Sequence, residues 1–319
     1  MIEKLAKSIR NNDKILEKQK LNPIVQYIDS NCFKSSRIFT DLGEDSAAIR
    51  DSDTYILITT DRIITSFVEH YPFGAGFSSI LVSVDDIYAC GGTPLGASII
   101  LSFKEKKVGQ KILQGICSGS QKFQVPIIRG HTNAFGACYE LSSTMIGEIK
   151  KEAYISAGNA QVGDSIVLAS DFEGKVGEAS KFFFDTTTFK SSEEVLTRRR
   201  AMNLIAERKL AHASKDISNG GLFGSIFQLI KYSSVGAEIN INKIKIPPVL
   251  IKQNYDLISY SKMYLTTSFI ITAQGTNCKE IVNIFRNHGL ESMVIGKIIE
   301  DKNLLKLSDD NTSIDVMRF

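Results

Sequence analysis

The apolar positions of the chain switch between a helical and a strand period. In residues 1–30, Ile2, Leu5 and Ile9, then Ile15, Ile24 and Ile28, recur at helical spacing among lysines and glutamates, with Pro23 as a break. Residues 55–60 (YILITT) are a β-rich run that delivers Asp61 to the edge of a sheet. A loop over 69–74 and a long helix over 75–90 follow, the helix stopped by Gly91-Gly92. Then come a buried strand at 95–103, an amphipathic helix at 108–123, and strands at 125–128 and 141–149. Arg129-Gly130-His131-Thr132-Asn133 is expected to leave the 125–128 strand as a polar turn. A second series begins with a turn into a strand at 163–169. It continues with helices at 191–208, 222–230 and 278–288 and strands at 236–239, 264–272 and 293–299. Alternating strands and helices predict a layered α/β (α+β) architecture, and the composition shift at 150–158 predicts two domains, 1–150 and 151–319.

Composition narrows the function. The 319 residues are 43% hydrophobic and 23% charged, with a formal net charge of +3. That balance is far from a dedicated nucleic-acid binder, so no nucleic-acid partner is expected. No run approaches the roughly 18 apolar residues of a membrane span, and the charged N-terminal stretch has no apolar core of a signal peptide. A cytoplasmic protein without a membrane partner is therefore expected. The five cysteines are odd in number and widely spaced, which favours free, packed thiols over disulfides or zinc.

The chemistry concentrates in residues 83–94, SVDDIYACGGTP. Asp85 and Asp86 fall in the middle of the predicted 75–90 helix, and further acids recur at element ends: Glu44, Asp45, Asp61 and Asp216. Each is on its own explained as a cap or turn residue. As a set, beside Gly, Ser or Thr, they suit Mg²⁺, which takes oxygen ligands and bridges carboxylates to phosphates. Gly130-His131-Thr132-Asn133 offers polar groups to a phosphate or metal, and equally a structural histidine. Gly220-Gly221 before the 222–230 helix is either a phosphate cradle or a plain helix start. Neither a P-loop, a Rossmann fingerprint, a nucleophile elbow nor a zincin helix is present.

Taken in order, GEDSAA, TTD, VDDIYACGGTPLGA, RGHTN, VGDSIVLA and KDISNGG followed by VGAEI resemble the AIR-synthase-like (PurM-like) superfamily. That group includes aminoimidazole ribonucleotide synthase, thiamine-monophosphate kinase and selenophosphate synthetase. The resemblance covers residues from about Asp41 to Gly296 and lies closest to uncharacterised AIR-synthase-related proteins. It implies a two-domain PurM-like fold whose N-terminal domain dimerises through its sheet, with ATP and Mg²⁺ in a cleft near the dimer interface. It further implies Glu44, Asp45, Asp61 and Asp86 as metal or phosphate-binding acids, Asp86 fitting better than Asp85. Gly43, Thr60, Gly130, Thr132, Asn133, Ser218 and Gly220 are the implied nucleotide contacts, and Asp216 and His131 the implied catalytic pair. The implied activity is ATP-dependent phosphorylation or activation of a small-molecule acceptor, the alternative being a nucleotide-binding homodimer that has lost turnover. Asn219 departs from the kinase, which has Asp there, and the reactive cysteine loop of selenophosphate synthetase is missing. Phe182–Thr188, with Asp185 among aromatic and hydroxyl groups, is expected to form an acceptor-side loop.

Overall fold

The computed structural model describes every residue except Asp41, Asp310 and Phe319. Three short helices open the chain: α1 (Ile2–Arg10), α2 (Asp13–Gln19) and α3 (Asn22–Asn31). The apolar face of α1, Ile2, Leu5, Ala6 and Ile9, is buried. Asn12 starts α2 by accepting the Lys14 backbone N–H at 3.1 Å. Pro23 lies in the first turn of α3, where its missing N–H costs nothing, so the break falls before it.

A six-stranded sheet follows, made of β1 (Ile38–Thr40), β2 (Ala47–Asp51), β3 (Thr54–Arg62), β4 (Thr93–Phe103), β5 (Ile127–Ala134) and β6 (Glu140–Lys150). Its order is β1-β2-β3-β6-β4-β5. In β3, Tyr55, Leu57 and Thr59 alternate inward. Asp61 therefore lies within the strand rather than beyond its end. The predicted 69–74 loop is instead the junction of two helices, α4 (Thr65–His70) and α5 (Pro72–Ala89), separated by Tyr71 alone. Because Pro72 starts α5, Asp85 and Asp86 sit in its last turn and not in its middle. Gly91, at φ 79°, and Gly92 close that helix by donating to the Tyr88 and Ile87 carbonyls, and β4 begins at once. Helix α6 (Lys106–Phe123) packs beside α5. Residues 129–133 do not form a turn: they pair in parallel with β4 as the sheet's edge strand, exposed throughout. With no buried face, β5 shows no apolar alternation, which is why its sequence reads as a loop.

The rest of the chain builds a seven-stranded sheet from β7 (Ser165–Ser170), β10 (Ala213–Asp216), β11 (Gly236–Asn240), β13 (Ser268–Ala273), β14 (Glu291–Ile299), β15 (Leu304–Ser308) and β16 (Ser313–Arg318). The order is β10-β13-β7-β14-β11-β15-β16. A small sheet joins β8 (Lys175–Gly177), β9 (Ser180–Asp185) and β12 (Tyr264–Leu265). Helices α7 (Ser192–Glu207), α8 (Gly221–Tyr232), α9 (Pro248–Lys252), α10 (Leu257–Ser261) and α11 (Cys278–Asn287) surround them. The predicted 264–272 strand is divided between two sheets. Thr267 turns left-handed at φ 55°, and the Thr266 hydroxyl donates to the Phe184 carbonyl at 2.9 Å. The 293–299 strand is irregular, with a register shift between Val294 and Gly296.

Two apolar cores result. Val167 and Ala169 of β7 enter the first, on the side of α11, while Ile166 and Leu168 enter the second. Helix α1, counted by sequence with residues 1–150, buries its face in the second core. The described cysteines are all free, and no helix among the described residues is long and apolar enough to cross a membrane.

Candidate functional site

The acids separated by up to 171 residues in sequence meet between the two large sheets. Asp45 ends the tight turn before β2, Asp61 comes from β3, Asp86 from the last turn of α5 and Asp216 from the end of β10. Gly43 makes the turn possible. Its φ is +108°, and a Cβ there would stand 2.8 Å from the Tyr232 ring. Strand β10 is fixed to α5 by the Ser214 hydroxyl, which donates to the Ala89 carbonyl at 2.7 Å. Asp216 is thereby held next to Asp86. Asp45, Asp86 and Asp216 each offer an oxygen within 4.8 Å of the others.

These carboxylates are held in position by neutral donors. The Thr59 hydroxyl donates to Asp86 Oδ2 at 2.5 Å, and the Ser83 hydroxyl to Asp61 Oδ2 at 2.8 Å. Glu44 lines the same cavity outside the close triad, and it accepts from the Ala157 N–H at 2.7 Å and from the Ser156 hydroxyl. Two ammonium groups face the acids. Lys215 bonds Asp45 directly and lies 3.8 Å from Asp216 Oδ1, and Lys18 of α2 reaches in to the side-chain oxygen of Gln228.

Burial pushes Asp86 well above the usual carboxylate range, and the charges of Asp61 and Asp216 push it further. Burial also raises Asp61, against the Ser83 hydrogen bond, and Asp216, against the Lys215 and Lys18 charges. Helix α5 adds to the strain, since its C-terminal turn carries the negative end of the helix dipole. The cluster is thus an electrostatic site that gains from a cation. The adjacent acid has a different task. Asp85 points the other way, to Arg199 of α7, with Nε to Oδ1 at 2.7 Å and both side chains buried. Of the adjacent pair, Asp86 lines the acidic cavity while Asp85 is taken up by Arg199.

A cavity of about 320 Å³ opens over the cluster, lined also by Thr60, Ser218 and Tyr264. A second cavity of about 700 Å³ adjoins it, sharing Val82, Asn219 and Tyr264 in its wall. Phe67, Tyr71, Phe182 and Phe183 give the larger one apolar faces, and Gly220 borders it. Asp185 does not face either cavity. It is buried and accepts from the backbone N–H groups of Thr187 and Thr188 at 2.9 and 3.0 Å, so it closes a turn; of the expected acceptor loop only Phe182 and Phe183 line the space. Gly130, His131, Thr132 and Asn133 lie apart on the exposed edge strand β5 and line neither cavity. Lys18, Gln228 and Tyr264 line the acidic cavity without any sequence motif to mark them, and Lys215 lines it from the head of the KDISNGG motif.

Family models for the AIR synthase related protein match twice, the N-terminal domain at residues 43–149 and the C-terminal domain at 161–305. The chain belongs to the AIR synthase related family. An uncharacterized protein of Methanocaldococcus jannaschii is 34% identical, over 98% of this chain and 96% of its own length. The thiamine-monophosphate kinase of Buchnera aphidicola from Acyrthosiphon pisum is 29% identical, over 73% of this chain and 76% of its own. Among solved structures, AaThiL complexed with AMPPCP and TMP superposes with a TM-score of 0.67 at 21% identity, covering 94% of this chain and 96% of that one. T. maritima PurL complexed with ATP gives 0.72 at 14% identity; this chain spans 46% of its length and is itself 87% covered. This AIR synthase related protein accordingly has the PurM-like fold, with ATP-using relatives.

Proposed function

We propose that the protein is an ATP- and Mg²⁺-dependent enzyme that phosphorylates, or activates through phosphate, a small-molecule acceptor. The observation that carries this reading is the triad of Asp45, Asp86 and Asp216 oxygens within 4.8 Å of one another. Oxygens sharing one octahedral Mg²⁺ at about 2.1 Å stand about 3 to 4 Å apart, and hard carboxylate donors suit that ion. Bound there, Mg²⁺ would supply charge neutralisation for phosphate oxygens. The chain's own residues do the rest. Thr59 and Ser83 orient Asp86 and Asp61, while Lys215 fixes Asp45. The phenylalanine-walled cavity has room for an organic molecule beside the acids. In this reading residues 1–150 are the nucleotide unit, completed by Lys215, Asp216 and Ser218 from 151–319.

The protein acts as a homodimer in the same proposal. Strand β5 is an exposed edge whose outer side has no partner strand among the described residues, with Ile127, Ile128 and nearby Phe135 open to solvent. Such an edge is a template for a second copy. His131, Gly130, Thr132 and Asn133 then serve at that interface. A homodimer that binds nucleotide without turnover is the second reading. The Lys215–Asp45 pair favours it, because an ammonium already holds one of the three carboxylates. Thermal shift with ATP and Mg²⁺, then ADP release against a metabolite panel, separates the two. A shift with acceptor-dependent ADP release supports the enzyme, a shift without turnover the second reading, and no shift refutes both.

A further inference from the structure

The N-terminal helices carry no motif, yet one of their side chains enters the acidic cavity. Helix α1 is anchored away from the site: Leu5, Ala6 and Ile9 are buried, and Arg10 donates to the Val316 and Asp315 carbonyls at 2.5 and 2.7 Å. Helix α2 then lies across the start of α8. Its one buried residue, Ile15, and the stem of Lys18 rest where Gly220 and Gly224 have no side chains. A Cβ at Gly220 would meet Lys18 Cε at 3.6 Å and Ile15 Cγ1 at 3.7 Å, and one at Gly224 would meet Ile15 Cγ1 at 3.6 Å. The seat fixes where the Lys18 ammonium goes.

That ammonium is placed differently from its neighbour. Lys215 is committed to Asp45, whereas Lys18 forms no ion pair among the described residues and donates to the neutral amide of Gln228. An ammonium has three donors, and the bond to Gln228 uses one; Asp216 and Asp86 act on Lys18 by charge without an ion-pair contact. We infer that Lys18, carried by α2 on the Gly220–Gly224 seat, is a phosphate-contacting residue that meets the terminal phosphate of a bound nucleoside triphosphate. The assignment rests on the nucleotide reading proposed above. Burial and the Lys215 charge hold Lys18 down to about 7, against the charges of Asp216 and Asp86, and a phosphate arriving at its open donors favours the charged form further. Helix α2 also borders the larger cavity through Asp13 and Lys14, so one element touches both spaces.

The test is calorimetric titration with Mg²⁺ and either AMP-PNP or ADP, on the wild type, Lys18→Met, Lys18→Gln and Lys18→Arg. Met keeps the stem on its seat, and Gln guards against a variant that fails to fold. The expected result is a loss of about tenfold or more for AMP-PNP in Lys18→Met and Lys18→Gln, about threefold or less for ADP, and partial recovery in Lys18→Arg. Equal losses for both nucleotides, or none, overturn the assignment while leaving the nucleotide reading intact. A wild type that binds neither nucleotide overturns both.

Discussion

Replacing Arg199 with Met leaves the Asp85 carboxylate buried without a partner. Arg199 is fully buried and Asp85 is 3% exposed, their contact is 2.7 Å, and they join α7 to α5 across the first core. Removing one partner of a buried pair costs about 3–5 kcal/mol. The guanidinium also lies 4.9 Å from the centre of the Phe123 ring, which adds about 1 kcal/mol. Against this, burial already raises Asp85, so the orphaned group takes up a proton and part of the cost is relieved. The net expectation for Arg199→Met is about 3 kcal/mol, and a similar value for Asp85→Ala. The double variant Asp85→Leu/Arg199→Met removes both charges and is expected within about 2 kcal/mol of the wild type. Urea unfolding followed by both fluorescence and circular dichroism gives the four free energies, with coincident transitions as the check on two-state behaviour. A single-variant cost under about 1 kcal/mol, or a double variant as unstable as the two losses summed, would refute the reasoning.

Three further outcomes follow from the same structure. Asp86 has a folded-state proton affinity raised above its unfolded one, so the metal-free protein binds more protons than the unfolded chain between about pH 4 and the raised value, and loses stability as pH rises through that window. Asp86→Asn in EDTA is accordingly expected to be about 1 kcal/mol more stable than the wild type at pH 7.5 and equal to it near pH 4, by thermal melts; a pH-independent difference counts against the account. Asp185→Ala is expected to cost about 1–2 kcal/mol in urea unfolding, through the lost turn, with nucleotide affinity unchanged; a selective loss of affinity would return it to the site. Ile128→Lys, on the exposed edge strand, is expected to convert a dimer to a monomer in light scattering, and an unchanged mass would argue that β5 is not the interface.

Much of this site is visible in the amino-acid order because its parts are local. Asp45, Asp61, Asp86 and Asp216 each sit at a turn or element end marked by Gly, Ser or Thr, and the fold gathers all four. The Gly91-Gly92 stop reads correctly because a left-handed helix end demands it. Other features depend on packing partners far away in sequence. Lys18 looks like any lysine on a solvated helix face until Gly220 and Gly224 seat it. Lys215 is adjacent to Asp216, but only the turn at Asp45 gives it a partner. The continuation of β5 beyond the predicted 125–128 strand escapes notice because an exposed edge has no apolar rhythm, and the helix carrying the aspartates starts earlier than its apolar run suggests. Local composition does not separate Asp85 from Asp86, which only the family resemblance ranks; in the structure Arg199, 114 residues beyond Asp85, takes Asp85 away.

The central claim is that the carboxylate cluster binds nucleotide through Mg²⁺. Calorimetric titration of ATP into the wild type, Asp86→Asn and Asp216→Asn, with Mg²⁺ and with EDTA, tests it directly. The account predicts ATP binding by the wild type that requires Mg²⁺ and is lost by about tenfold or more in each variant. ATP binding that is indifferent to Mg²⁺ and to both substitutions would contradict it.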